Sequence, residues 1–214
     1  MNETNKQSAD HEASITVWDP VVRWGHWILV AAFVVAYVTE DELLTIHSWA
    51  GYFVTLVVVV RIIWGIVGTR HARFTDFVSP PAQVLSYLKD LLAFRAERHI
   101  GHSPAGGAMI VALLLVLAVT TGTGTALLAV EENAGPLAPW LGTASSQDAR
   151  AGEDKDDGHK RKSGLAGDVL EEVHELIAHL AMLLVILHVA GVIWTSLVHR
   201  ENLVRSMLTG RKRR

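Results

Sequence analysis

Residues 173–198 read VHELIAHLAMLLVILHVAGVIWTSLV, a run of mostly apolar side chains in which Glu175 is the single acidic residue and His174, His179 and His188 are set at intervals. A bilayer core is about 30 Å thick and a helix rises 1.5 Å per residue, so about 20 such residues span it. Three further stretches meet that requirement: Val21–Val38, Ile46–Val67 and Gly106–Val130. The pattern predicts an all-α membrane protein, a four-helix transmembrane bundle in the lipid bilayer. Asp19-Pro20 before the first span reads as a helix cap followed by proline at the first helical position. Trp18, Trp24, Trp27, Trp49, Trp64 and Trp194 lie in or near span ends, where amphipathic rings suit the headgroup layer.

The chain has 214 residues, half of them apolar, which is room for one membrane bundle and no second globular domain. A net charge of −3 implies no nucleic-acid partner. No cysteine is present, which excludes disulfides, iron–sulfur clusters, thiolate zinc sites and covalently attached c-type haem. Eleven histidines are the obvious supply of ligands.

The turn between spans one and two is acidic (Glu40, Asp41, Glu42), whereas Arg70, Arg73, Lys89, Arg95 and Arg98 lie between spans two and three, and the chain closes on Arg211-Lys212-Arg213-Arg214. Positive residues gather on the cytoplasmic side, so both termini and the middle connection are expected there. Residues 1–16 read as a disordered cytoplasmic tail, 17–210 as the transmembrane domain and 211–214 as a basic cytoplasmic tail. An outer loop over about 131–172, rich in Gly, Asp and Lys, is expected to be flexible. After Ser79-Pro80-Pro81, the spacing of Val84, Leu85, Leu88, Leu91 and Leu92 predicts a short amphipathic helix, either on the inner membrane face or folded against the bundle ends.

Five histidines fall inside the spans, and four of them, His26, His47, His174 and His188, fit the pattern of interior-facing residues with a partner. His174 and His188 are 14 residues apart, close to four full turns, so they share a face and lie roughly 21 Å apart along the axis. His47 opens span two at the outer depth of His174, and His26 lies in span one in the same half as His188. On this ruler His26 is a turn or two too shallow, which a tilt or a buried start to span one must absorb. Two facing pairs follow, His47/His174 and His26/His188. The simplest occupant of each is a b-type haem, with the four histidines as axial ligands of the iron. Arg61 is 14 residues after His47, at the depth of His188. An arginine in mid-membrane costs about 2.5–3.5 kcal/mol on insertion scales and needs an anion, which a haem propionate would supply. His174-Glu175 with His179 superficially matches a zinc-protease helix, but that motif requires histidines four apart and these are five apart. His99, His102 and His199 sit at the inner boundary, where they could touch a propionate or a quinone or simply anchor helix ends. His11, His71 and His159 read as solvated.

The runs VVRWGHW at 21–27, IHSWAGYFVTLVVVVRIIWG at 46–65, GHSPAGGAM at 101–109 and VHELIAHLAMLLVILHVAGVIWTSLVHRENLVRSML at 173–208 resemble the bacterial cytochrome b561 family. The nearer likeness is to its branch of nickel–iron hydrogenase-type cytochrome b subunits. It covers Val17–Gly210 and leaves the charged insertion in the outer loop unmatched. The resemblance implies two non-covalent b haems, with His26, His47, His174 and His188 as axial ligands, and electron exchange with membrane quinone.

The expected function is that of a multi-pass cytochrome of the bacterial inner membrane. It would carry electrons between the quinone pool and an outer-side donor, a hydrogenase or a c-type cytochrome. Such a protein is either the electron-transfer subunit of an oxidoreductase or a quinone-linked oxidoreductase itself. One alternative is a superoxide:quinone oxidoreductase acting without a partner. A metal-ion permease lined by histidines is another, and Arg61 counts against it because a buried cation repels passing cations. A purely structural membrane anchor leaves the matched depths unexplained.

Overall fold

A computed structural model describes residues 14–40, 43–142 and 165–213. Four long helices carry the apolar stretches: α1 (Pro20–Val38), α2 (Leu44–Val67), α5 (Pro104–Glu132) and α6 (Leu165–His199), each long and apolar enough to cross a membrane. Between α2 and α5 lie α3 (Phe74–Phe77) and α4 (Pro81–Leu92), and α7 (Leu203–Thr209) follows α6. The protein is mostly helical, as the apolar pattern predicts.

Two helices outrun their apolar stretches. α6 begins at Leu165, eight residues before Val173, and α5 runs on to Glu132. Hydropathy marks where the lipid-compatible stretch ends, whereas backbone hydrogen bonding continues through LAGDVLEE, where Leu, Ala and Glu are good helix formers and Asp168 suits the first turn. The expected outer loop is therefore shorter than 131–172 by its helical flanks. Its stretch from 143 to 164 lies outside the described residues, as do 1–13.

The chain divides into two compact units. One comprises Met1–Ala31, Leu56–Leu114 and Leu184–Arg214, the other Ala32–Thr55 and Leu115–Leu183, so each long helix contributes a segment to each. The core of the first includes Val17, Trp18, Val22, Val58, Phe77, Tyr87 and Leu91, and that of the second Ala50, Val54, Leu117, Ala129 and Ala181. Outward faces stay apolar, with Leu176, Leu183, Ile186, Ile193 and Leu197 of α6 more than half exposed. Such surfaces suit hydrocarbon and would be a liability in water.

In the first unit Asp19 caps α1. Its Oδ1 accepts from the Val22 amide at 3.0 Å, and its Oδ2 accepts from Trp64 Nε1 at 3.1 Å and Thr69 Oγ1 at 2.6 Å, which ties the start of α1 to the end of α2. Burial alone would raise the pKa of Asp19, but these hydrogen bonds outweigh it and hold the carboxyl below its ordinary value. α4 has Pro81 at its first position. It buries Tyr87 and Leu91, takes a hydrogen bond from Trp194 Nε1 to the Leu91 carbonyl at 3.3 Å, and leaves Leu85 and Leu92 exposed. It thus folds against the protein with one face while offering an apolar edge outward.

The chain ends depart from the expected tails. Ser14–Thr16 (β1) and Arg211–Arg213 (β2) form an antiparallel ribbon in which Ile15 faces Lys212. Gly210 makes the turn possible. It has φ 79°, its carbonyl accepts from the Val17 and Trp18 amides at 2.9 and 3.1 Å, and a Cβ there would lie 2.8 Å from the Trp18 carbonyl oxygen. Arg23 adds a hydrogen bond to the Leu208 carbonyl. Lys212 is buried rather than solvated, with its Nζ 3.4 Å from the carbonyls of His99 and Gly101.

Candidate functional site

His47 stands in the first turn of α2, where its ring meets the last turn of α1. The final carbonyls of a helix have no intrahelical partner, and His47 Nδ1 lies 2.8 Å from the Ala36 carbonyl oxygen. A carbonyl only accepts, so Nδ1 carries the proton and Nε2 keeps its lone pair. His174, in the same unit, has its ring centroid 6.2 Å from that of His47 at an interplanar angle of 83°. Its Nδ1 lies 3.1 Å from Thr123 Oγ1 on α5, so that nitrogen is engaged by the protein and Nε2 is the one left for a metal.

The second pair lies in the other unit. His26 and His188 have ring centroids 6.4 Å apart at 53°. At the start of α1, Val17, Trp18 and Val22 are all buried, with Trp18 against His102 and Lys212. Trp27 stands edge-on to His26 at 5.1 Å. Buried polar atoms without a partner in this unit include His26 Nδ1, Trp27 Nε1 and Arg61 Nη2.

Among the described residues Arg61 forms no ion pair, and the Asp19 carboxylate acts on it only at a distance. Its Nη1 donates to the Ala72 carbonyl at 3.1 Å, and the guanidinium lies 5.4 and 5.7 Å from the ring centroids of Phe74 and Phe77. The four residues of α3 thus supply an aromatic cage for the cation. They leave Nη2 as a buried donor with no acceptor among the described residues.

These observations decide which metal chemistry fits. Among the described residues no three His, Asp or Glu side chains are placed to share one ion, whereas a zinc site draws three or four ligands from the protein. Facing pairs serve a metal whose equatorial positions are filled by a macrocycle. Two metal–nitrogen bonds of about 2 Å each, with the half-widths of two imidazoles, add up to roughly 6 Å, close to both centroid separations. Small residues flank the pairs. A Cβ at Gly51, one turn after His47, or at Gly191, three residues after His188, would meet nothing within 4 Å. The orphaned Arg61 and Trp27 donors match propionate oxygens. The residues present fit a haem at each pair.

The remaining histidines divide. His179 bonds the Glu175 carbonyl at 2.8 Å on an exposed face and joins neither pair. His199 lies 3.5 Å from Tyr87 Oη, and His99 stands edge-on to Tyr87. His102 is sandwiched between Trp18 and Phe77 at 4.4 and 4.6 Å, and burial, followed by the charges of Arg61 and Lys212, pushes its pKa down to about 3. His71, expected to be solvated, is half-buried. It lines a cavity of about 210 Å³ with Arg70, Asp76, His99 and His102. His11 and His159 lie outside the described residues. The sequence reading missed Thr123 and the Ala36 carbonyl. The run TTGTGT at 120–125, polar and small inside an apolar helix, was the available signal for the first.

Four long apolar helices with two facing histidine pairs define a multi-pass membrane protein of the non-covalent haem type. The family model of prokaryotic cytochrome b561 matches residues 17–210. The chain belongs to that family and is a membrane b-type cytochrome of electron transfer. The comparisons found no matching curated protein and no matching solved structure.

Proposed function

We propose that this chain is a di-haem cytochrome of the bacterial inner membrane, passing electrons between an outer-side donor and the quinone pool. His47 and His174 would hold the outer haem, and His26 and His188 the inner one, with Arg61 directed to an inner-haem propionate. The observation that carries this reading is the presence of two histidine pairs, at 6.2 and 6.4 Å, each contained in its own unit of the chain. The charge pattern supports cytoplasmic placement of both termini and of the connection between α2 and α5. The outer-side donor would be a hydrogenase or a c-type cytochrome, the kinds of partner that the family resemblance implies for its members.

A haem bound at each pair would supply a one-electron iron couple. The protein's own part is to hold, orient and tune. Nδ1–H donation from His47 to Ala36 fixes the ring's tautomer and raises the basicity of Nε2. Apolar walls limit water at each pair, and the Arg61 guanidinium, kept from water by Phe74 and Phe77, favours an ionised carboxylate beside it.

Quinol oxidation provides the test. Anaerobic addition of a soluble quinol to the oxidised, detergent-purified protein is expected to give the absorbance bands of reduced b haem within the mixing time of a manual experiment. Haem that dithionite reduces and quinol does not would contradict the quinone assignment. Superoxide that reduces the haem rapidly without any partner protein would instead identify a direct superoxide:quinone oxidoreductase.

A further inference from the structure

The third long helix, α5, contributes no histidine to either pair, yet it makes a side-chain hydrogen bond to one of them. Thr123 Oγ1 lies 3.0 Å from the Val119 carbonyl and 2.9 Å from that of Thr120. A hydroxyl has a single proton, and both carbonyls draw it to the helix backbone. With that proton on the helix backbone, the oxygen accepts from His174 Nδ1–H, 3.1 Å away. The Thr120 carbonyl lies beside the same ring.

The next residue makes this approach possible. A Cβ added at Gly124 would lie 2.8 Å from His174 Cε1, 3.3 Å from Nδ1 and 3.5 Å from Nε2. The imidazole lies along the bare backbone of α5, in space that any other residue would take. Two independent features of one dipeptide thus address one ring. The hydroxyl offers Nδ1–H an acceptor, and the glycine lets the ring come this close.

We propose that Thr123-Gly124 is the seat of His174 and that Thr123 is a positioning residue setting the reduction potential of the haem held by His47 and His174. This rests on the histidine-pair reading above. Donation from Nδ1 to an oxygen enriches the ring, strengthens Nε2 as a ligand and favours ferric iron, which lowers the potential. On the His47 side the acceptor is a backbone carbonyl that no substitution removes. On the His174 side the Thr123 oxygen shares the ring with the Thr120 carbonyl, and it is the part of that pair that a substitution can remove.

Thr123→Val keeps the volume and the branched shape but puts a methyl where the oxygen sits. In a spectrophotometric redox titration of the full-length holoprotein, one of two one-electron steps is expected to rise. The shift corresponds to about a tenfold change in the reduced-to-oxidised ratio, or 59 mV for one electron. The other step should stay in place. Thr123→Ser, which restores the oxygen, is expected to return the wild-type potential. Gly124→Ala is expected to alter the g-values of one ferric low-spin signal in electron paramagnetic resonance, because the ring must turn or shift. Unchanged potentials in Thr123→Val, with two haems retained, overturn the seat. If Thr123→Val loses one haem, Thr123→Ser decides: retention at the wild-type potential supports the seat, and loss in that variant also overturns it. Wild-type protein that binds no haem would instead remove the pair reading itself.

Discussion

His188→Ala is expected to remove one haem and leave the other, halving the haem-to-protein ratio. His188 and His26 lie in the unit made of Met1–Ala31, Leu56–Leu114 and Leu184–Arg214, while His47 and His174 lie in the other. Truncating His188 leaves His26 as a lone axial ligand whose Nδ1 has no hydrogen-bond partner to orient it. Loss of half the axial coordination, with a cavity where the imidazole was, should reduce retention of that haem through purification by at least tenfold. His174→Ala is expected to remove the other haem by the same logic, and the two variants should keep haems of different potential. Loss of both haems from a His188→Ala protein that remains helical and monodisperse would contradict separate sites.

Arg61→Met is expected to lower the potential of the haem at His26 and His188. A guanidinium shielded from water by Phe74 and Phe77 places a positive charge in a medium of low dielectric, where its field is strong. That field favours the reduced iron, which carries one positive charge fewer. Removing it should shift the reduced-to-oxidised ratio by about tenfold towards ferric, or 59 mV. Arg61→Lys keeps the charge but loses the forked donors, so it should recover part of the shift. The alternative has a distinct signature. If no propionate meets Arg61, an arginine within an apolar helix is a burden of about 2.5–3.5 kcal/mol on insertion scales. Arg61→Met would then raise thermal stability and leave both potentials where they were.

The four spans and both histidine pairs were legible in the sequence because each depends on a local, periodic property. Apolar length tests a stretch against the bilayer one helix at a time, and the 14-residue interval from His174 to His188 is a helical ruler that needs no tertiary information. What escaped was settled by long-range or degenerate contacts. The ribbon joins Ile15 to Lys212, nearly the whole chain apart, and depends on a glycine at 210 whose left-handed turn resembles any helix end. Helix starts such as Leu165 fall in charged segments, where hydropathy carries no signal. Thr120, Thr121, Thr123 and Thr125 all bond back to carbonyls one turn earlier, so nothing local marks Thr123 as the one whose oxygen also meets a ring. Arg61 was found by its cost, but its cage of Phe74 and Phe77 comes from a four-residue helix that periodicity cannot detect.

Haem stoichiometry tests the central claim most directly. Pyridine haemochrome quantification on detergent-purified wild-type protein, set against a protein concentration from amino-acid analysis, is predicted to return two b-type haems per chain. A value of one would leave one histidine pair without its role, and a value of zero would contradict the assignment of both.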